Sequence, residues 1–323
     1  MGSFFGEAED AIIIIWYVID AIRLCDGSKV VIKLVRDAEL EILELLNSTS
    51  RRADPRNHTL PVLDKIPLPD DSRTDGVLFV FPFGREFDSP PFHCRWEFVE
   101  AFSQYLEGLE FLHENGICHG DIAPKNMLVD QSKFVPRGSH FAAQLTHAGV
   151  KGFFRWKRRC GQSPNEYYFI DFDQSTIHYT ENAREIVRCA VIYPRYPIPE
   201  ASMTVPFNPF LVDVFQLGLV MQKIINNYPA LEIFRAVVDD MLLPDPTARP
   251  RPATSLVHLQ KIASTIPGWK AKLPIWSKGG GTFRMMQRIV LVKLVVITLV
   301  RGRRKTLTCA CLNRLHGATH ILI

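Results

Sequence analysis

The stretch from His119 to Asp130 constrains this chain more than any other part of its sequence. Asp121 lies two residues after the histidine, Asn126 lies five residues after that carboxylate, and an apolar triplet at 127–129 predicts a short buried strand. Phosphoryl transfer needs a carboxylate that orients and deprotonates a hydroxyl, and an oxygen ligand that holds Mg²⁺. The alternative is an ordinary turn in which the two side chains bond nearby backbone groups. This stretch alone leaves both interpretations open.

The composition is that of a globular intracellular protein. The 323 residues are enough for one large domain or two lobes, and 47% of them are hydrophobic while 22% are charged. Seven scattered cysteines, an odd number, argue against a disulfide framework and favour a reducing compartment. Cys309 and Cys311 are too closely spaced to form a metal site without further partners. We therefore expect the cysteines to be structural or incidental.

The net charge of +4 is distributed unevenly. No acidic residue follows Asp245, and the segment 131–165 also lacks acids while it carries several lysines and arginines. Such runs are usually solvated faces or tails. Contact with nucleic acid or an anionic membrane through this basic insert or the C-terminal tail is compatible with the charge, but we do not predict it.

Neither end of the chain predicts a targeting or membrane-spanning segment. Acidic residues precede the apolar run 11–19, whereas a secretory signal begins with basic ones. The apolar run 289–300 contains Lys293 and is shorter than the roughly 20 residues that cross a bilayer. A buried strand is our preferred interpretation of this run, and a membrane-surface anchor is the alternative. We expect an intracellular, cytoplasmic protein.

Strand signals dominate the first quarter of the chain. Two β-branched runs, 12–23 and 29–35, flank an Asp-Gly turn and predict a hairpin. Lys33 lies inside the second run, where a buried lysine requires an anionic partner. A helical pattern that begins at Glu39 offers acidic side chains for that role. The alternative is an edge-strand lysine that faces water.

Helix signals dominate the remainder, so the pattern predicts an α+β fold with two lobes. A segment rich in proline, aspartate and arginine, 50–75, separates the first helix from the next long strand. The further predicted strands are 60–63, 77–81, 127–129 and 167–173, and the further predicted helices are 95–114, 211–226, 231–242 and 253–264.

The ordered motifs resemble those of eukaryotic-type protein kinases over about residues 12–265. Two further segments, 53–58 and 87–92, resemble the fungal, basidiomycete-type members of that group. A series of matches in the right order is much more specific than any one of them. The matching residues are Lys33 in Val-Val-Ile-Lys, Glu39 in the following helix, His119, Asp121 and Asn126 in the catalytic loop, Asp171 and Phe172 of Asp-Phe-Gly, Glu200 after Pro199, Asp213 and Arg249.

The resemblance implies a kinase fold with ATP and Mg²⁺ as cofactors, a small mainly-β N-lobe and a larger helical C-lobe. It assigns Lys33, held in place by Glu39, to the α- and β-phosphates of the nucleotide. It also places Phe81, Pro82 and Gly84 beside the adenine, with Phe81 as a bulky gatekeeper. Proline is tolerated there because, in the family, that position contributes a carbonyl and the donor N–H comes two residues later.

The same resemblance assigns the chemistry to the loop described first. Asp121 would accept the proton of the substrate hydroxyl, and Lys125 would reach the γ-phosphate. Asn126 and Asp171 would bind the metal through hard oxygen atoms.

Five further residues have structural roles in the resemblance. His119 and Phe172 support the two catalytic motifs. Asp213 would bond the backbone at His119, while Glu200 and Arg249 would form an ion pair that locks the activation segment. Two unrelated surface charges are the alternative for this last pair.

Several features depart from the family pattern. No Gly-x-Gly-x-x-Gly sequence precedes Lys33, and only five residues separate Lys33 from Glu39, which leaves little room for a full-length helix. Gly120 replaces the arginine that would bind a phosphorylated activation segment, so we expect no such phosphorylation to be required. Asp173 replaces the glycine of Asp-Phe-Gly and adds negative charge beside the metal site.

We expect an N-lobe at 1–84, a C-lobe at 85–268 and a basic, partly apolar tail at 269–323. The predicted function is that of an ATP-dependent protein kinase acting on Ser/Thr hydroxyls of a protein substrate. One alternative is a pseudokinase or scaffold that binds nucleotide weakly or not at all. A second is a small-molecule phosphotransferase. The sequence makes no prediction about the oligomeric state.

Overall fold

The computed structural model describes residues 18–68, 75–150, 152, 154–162, 164–178, 198–200 and 207–278. The predictions about residues 12–17, the apolar run 289–300 and the last two cysteines lie outside the described residues. The chain divides into a larger unit, 1–275, and a shorter one, 276–323, of which only 276–278 are described. Among the described helices, none combines the length and the apolar character needed to cross a membrane.

A four-stranded antiparallel sheet forms the N-terminal part, with the strand order β1-β2-β4-β3. The hairpin predicted around the Asp-Gly turn is present, and Gly27 adopts a positive φ in that turn. The strands are β1 (Val18–Ile22), β2 (Lys29–Val35), β3 (Asp64–Pro67) and β4 (Val77–Pro82).

The strand predicted at 60–63 was placed too early, because β3 begins only at Asp64. The preceding residues bond elsewhere: Leu60 N donates to Phe169 O, and Val62 N donates to the side chain of Asn47. Leu60 and Val62 therefore bond outside the sheet, and Leu63 N is the first to reach β4, where it donates to Val80 O at 2.7 Å. The strand predicted to stop at Phe81 also includes Pro82, which suits a strand end because its missing N–H is not needed there.

Helix α1 (Asp37–Leu46) follows β2 after a single linking residue, and the short helix α2 (Thr49–Arg52) comes next. The sharp entry into α1 depends on Asp37, whose φ of 49° lies in the left-handed region. Ile42, Leu43 and Leu46 are buried and join the hydrophobic core that also contains the long C-terminal helices. The tight connection therefore places the first turn of α1 beside the sheet.

Helices form most of the C-terminal part, as the sequence predicts. Helix α3 begins and ends where predicted, its aromatic side chains other than Trp96 are buried, and Gly116 follows it with a φ of 73°. The helix predicted at 231–242 is instead a 3₁₀ turn, Pro229–Phe234, followed by a shorter α-helix. The helices are α3 (Arg95–Glu114), α4 (Pro209–Asn227), α5 (Arg235–Met241), α6 (Pro252–Ser264) and α7 (Gly268–Ala271).

Five short strands bring two loops side by side. Strands β5, β7 and β8 form one small sheet, and β6 pairs with β9. The loop 119–126 runs from β6 to β7, and the loop 170–175 runs from β8 to β9, so both pairings fix one loop against the other. These strands are β5 (Arg85–Glu86), β6 (Ile117–Cys118), β7 (Met127–Val129), β8 (Tyr167–Phe169) and β9 (Thr176–Ile177).

The strand predicted at 167–173 ends earlier than expected, at Phe169. Asp171 has a φ of 67°, and a left-handed residue cannot continue a strand. The change of direction at this residue starts the loop that carries the acidic side chains.

The basic insert 131–165 is not simply a solvated face. Arg159 is almost completely buried, and its guanidinium donates to the carbonyls of Phe87 and Pro90, the latter at 2.6 Å. It also lies 4.7 Å from the centre of the Phe92 ring. One arginine of the insert therefore holds the insert against the segment 87–92. The boundary predicted at residue 84 stays a prediction.

We predict that Arg159→Ala lowers the melting temperature by on the order of 10 °C, because it removes a buried charged donor and leaves Glu97 and two carbonyls without it. Lys157→Ala, at an exposed position two residues earlier, is the matched control and should change it little. Thermal unfolding followed by circular dichroism measures both. Equal melting temperatures for the two variants would contradict the structural role of Arg159.

Candidate active site

Lys33 lies at the centre of the candidate active site. Its ammonium nitrogen is 2.7 Å from Glu39 Oε1 and 2.8 Å from Asp171 Oδ1, although Asp171 is 138 positions away along the chain. The side chain is mostly buried on β2, and Glu39 comes from the first turn of α1. The short spacing between Lys33 and Glu39 is sufficient because α1 starts directly after the strand.

Asp173 is a third carboxylate in this cluster, 3.2 Å from Lys33 Nζ and more than half exposed. Burial and a hydrogen bond with Asp173 raise the pKa of Glu39 to about 8, against the opposing effect of Lys33. Although burial lowers the pKa of Lys33, the carboxylates raise it overall, with Asp171 as the strongest. The raised pKa of Glu39 makes it the carboxylate of this cluster that most readily takes up a proton.

Asp171 and Phe172, in the loop 170–175, connect this cluster to the loop 119–126. Phe172 N donates to Glu39 Oε1 at 3.2 Å, which fixes the backbone next to Asp171. The Phe172 ring is buried, with its centre 5.0 Å from that of His119. The contact holds the loop that carries Asp171 against the loop that carries Asp121.

Asp121 and Asn126 lie in direct contact. The Asn126 amide nitrogen donates to Asp121 Oδ2 at 2.9 Å and to the Asp121 carbonyl at 2.8 Å. Both bonds use the nitrogen, so the amide oxygen is the atom left for a metal ion. Lys125 is exposed on the 3₁₀ turn Pro124–Asn126.

Asp213 orders the backbone of the first loop from inside the core. It is fully buried on α4, and its two oxygens accept from His119 N at 2.9 Å and Gly120 N at 2.8 Å. His113 Nε2 lies 3.0 Å from the same carboxylate and donates to it. The contact with His119 was predicted, whereas His113 was missed.

Gln216 is a second α4 residue that the sequence analysis missed. Its side chain accepts from Ile122 N at 2.9 Å and donates to the Gly120 carbonyl at 2.9 Å. It lies three residues after Asp213, so the helical period places both on one face. That spacing was the available signal.

His119 is buried and neutral in this arrangement. Its Nδ1 accepts from Asp121 N at 3.3 Å, so Nε2 carries the hydrogen and donates to the Ile170 carbonyl at 3.1 Å. Burial lowers the pKa of His119, against the attraction of the nearby aspartates. The ring thus bridges the two loops without adding charge.

Gly120 has a φ of 79°, and a Cβ atom there would lie 2.5 Å from the Gln174 carbonyl oxygen. The two loops approach each other so closely that any side chain at this position would collide with backbone. The packing at Gly120 therefore leaves no room for the arginine that the family has at this position.

Glu200 and Arg249 form the predicted ion pair, with 2.8 Å between Arg249 Nη2 and Glu200 Oε2. The guanidinium is fully buried and also donates to the carbonyls of Leu211 and Leu243. It lies 4.5 Å from the centre of the Phe215 ring. Two unrelated surface charges would not show this burial.

The three residues proposed to contact adenine lie at and just beyond the end of β4. Phe81 is buried and pairs with Val31, while Lys33 pairs with Phe79, so Phe81 and Lys33 share one face of the sheet. Pro82 ends the strand. A Cβ on Gly84 would lie 2.8 Å from a methyl group of Leu128, so this position has no room for a side chain unless that residue moves.

We predict that Gly120→Ala destabilises the protein by clearly more than the roughly 1–2 kcal/mol expected for a left-handed alanine alone, because of the collision with Gln174. Gly138→Ala is the matched control, since Gly138 has a φ of 63° and open space around its Cβ position. Chemical unfolding of both variants measures the difference. Equal losses would show that the two loops can separate at little cost.

Three curated relatives of this chain are serine/threonine-protein kinases, and no family model matches it. PTK2 of Candida glabrata is 26% identical over 137 residues, which cover 39% of this chain and 14% of that protein. HAL4/SAT4 of Saccharomyces cerevisiae is 28% identical over 113 residues, covering 30% and 16%. The kinase grp of Drosophila melanogaster is 34% identical over 70 residues, covering 20% and 12%. The matches thus span less than a fifth of each relative.

A crystal structure of the Rad53 kinase domain and SCD2 is similar over 75% of this chain and 82% of that one, at 18% sequence identity and a TM-score of 0.43. The family assignment rests on the sequence relatives and on the order of the motifs. The chain is similar to eukaryotic-type protein kinases, as its sequence predicts.

Proposed function

We propose that this chain is an ATP-dependent protein kinase that transfers the γ-phosphate to a Ser/Thr hydroxyl of a protein substrate. The observation that carries the proposal is the convergence of Lys33, Glu39 and Asp171, which come from a strand, a helix and a distant loop. Pairing of the short strands then sets this cluster beside the loop of Asp121 and Asn126. Each element supplies a group that phosphoryl transfer uses.

The donor atoms fit Mg²⁺ and a nucleotide triphosphate. Asp171 offers a carboxylate and Asn126 an amide oxygen, both hard ligands of the kind that Mg²⁺ prefers. The bound ion would neutralise negative charge on the phosphates. Lys33 would bind the α- and β-phosphates, and Glu39 would hold its ammonium group in position.

The remaining steps fall to the first loop. Asp121 would accept a hydrogen bond from the substrate hydroxyl and take its proton as the hydroxyl attacks the γ-phosphate. Asn126, bonded to the same carboxylate, orients Asp121. Lys125 would contact the transferred phosphate from its exposed position.

A protein rather than a small molecule is the substrate that the structure favours. The buried pair Glu200–Arg249 anchors the end of the segment where, in the family, a peptide docks. The names of the relatives, all serine/threonine-protein kinases, support the choice of hydroxyl.

The pseudokinase alternative is favoured by one specific contact. Asp173 occupies the place of the family's glycine and lies 3.2 Å from Lys33, so it competes with phosphates for the ammonium group. Nucleotide binding then has to displace this ion pair.

We predict that Asp121→Asn lowers phosphorylation of a peptide library by about 10²- to 10⁴-fold, because the amide cannot accept the hydroxyl proton. Asp130→Asn, a few residues later in a local bond with Ser132, is the control and should keep wild-type activity. Transfer from radiolabelled ATP provides the measurement. Equal incorporation by wild type and Asp121→Asn would sink the kinase proposal, and transfer to small alcohols but not peptides would indicate a small-molecule phosphotransferase.

We predict that Asp173→Gly tightens the binding of ATP with Mg²⁺ severalfold, since a half-exposed ion pair is worth up to about 1 kcal/mol. Isothermal titration calorimetry measures the affinity, and Lys33→Ala should abolish binding. Weaker binding in Asp173→Gly would instead show that Asp173 helps to hold the metal or the loop.

A further inference from the structure

Four side chains with metal-binding groups lie together in the helical part of the chain, and the proposed kinase mechanism uses none of them. They are His93, Cys94, Glu97 and Cys160, and their ligand atoms all lie within 4.8 Å of one another. The first three surround the start of α3, whereas Cys160 belongs to the 3₁₀ turn Arg159–Gly161 in the basic insert. Both cysteines are free thiols.

The spacing of these atoms fits a tetrahedral zinc site. Zn–S bonds of about 2.3 Å and Zn–N bonds of about 2.0–2.1 Å at the tetrahedral angle place sulfur and nitrogen about 3.6 Å apart. The distance between Cys160 Sγ and His93 Nδ1 is 3.6 Å. Two thiols with an imidazole favour zinc over the harder ions that a kinase uses with ATP.

Main-chain contacts hold the ligands in place before any ion binds. The Glu97 carboxylate accepts from His93 N at 2.7 Å and from Cys160 N at 2.9 Å, so it ties the two segments together. Ile275 N donates to the His93 carbonyl at 2.8 Å, which secures that residue from a third direction. Each carboxylate oxygen keeps a further lone pair for a metal ion.

The burial and the charge of these four side chains also suit a zinc site. Cys94 and Glu97 are buried, while His93 and Cys160 are partly exposed, so an ion can enter from their side. Zinc with two thiolates and one carboxylate has a net charge of about −1. The Arg159 guanidinium lies 3.7 Å from the Glu97 carboxylate and offsets this charge.

We propose that His93, Cys94 and Cys160, with Glu97 as the fourth ligand, bind a structural zinc ion that fastens the basic insert to the start of α3. Binding deprotonates both thiols and releases their protons. In the part of the insert that the structure describes, the 3₁₀ turn Arg159–Gly161 is the one regular element, so the ion would add a cross-link where secondary structure supplies few contacts.

The full chain, purified under reducing conditions and dialysed against zinc, tests the proposal through its metal content by elemental mass spectrometry. A Cys309→Ser/Cys311→Ser background removes the other close pair of thiols. We expect one zinc per chain in this background, loss of that zinc in Cys94→Ser and in Cys160→Ser, and retention in Cys25→Ser and Cys118→Ser. These controls change one exposed and one buried cysteine outside the cluster.

Cobalt substitution keeps the test decisive if a buried variant fails to fold. The background protein should show thiolate-to-cobalt charge-transfer absorption and the d–d bands of tetrahedral geometry, and both should be lost in Cys160→Ser, which changes a partly exposed ligand. A chelator should lower the melting temperature of the background protein but not that of Cys160→Ser. Absence of bound zinc under reducing conditions, zinc retained in both cysteine variants, or a Cys94–Cys160 disulfide in place of the metal overturns the proposal. None of these readouts depends on kinase activity.

Discussion

The ion cluster around Lys33 is the interaction on which the candidate site depends. A lysine within a strand needs an anionic partner, and here three carboxylates from two other elements surround it. Burial and the contact with Asp173 raise the pKa of Glu39 although Lys33 opposes them, because one ammonium group cannot neutralise all three carboxylates. The cluster is therefore both a structural link between the sheet, α1 and the loop 170–175, and a site with surplus negative charge that attracts a cation.

Asp213 plays the corresponding part for the first loop. A fully buried carboxylate is tolerated only when several donors satisfy it, and the donors are the backbone of His119 and Gly120 with the ring of His113. Because these amides must point at α4, the loop has little freedom left. Buried side chains of α4 thus fix the conformation of the loop that carries Asp121 and Asn126. Gln216, on the same helix face as Asp213, adds two more bonds to the backbone of this loop.

The sequence predicted those helices and strands that depend on local apolar patterns, and those site residues that the order of the kinase motifs implies. Helix α3 and strand β7 were placed correctly because their apolar spacing and end signals agree. The strand predicted at 60–63 was misplaced because its bonding partners lie far along the chain. Burial of Arg159 was missed for the same reason, since composition cannot show that one arginine of a basic run points inward.

Two of the departures from the family pattern, Gly120 and Asp173, have one physical origin in the closeness of the loops 119–126 and 170–175. Gly120 cannot carry a side chain because the Gln174 carbonyl lies against it, and Asp173, one residue before Gln174, turns its carboxylate toward Lys33. A phosphate-binding arginine has no place in such packing. The buried Glu200–Arg249 pair ties Glu200 to the helical part of the chain. Under the proposed function, a nucleotide would have to compete for Lys33 with the Asp173 carboxylate, which the chain itself supplies.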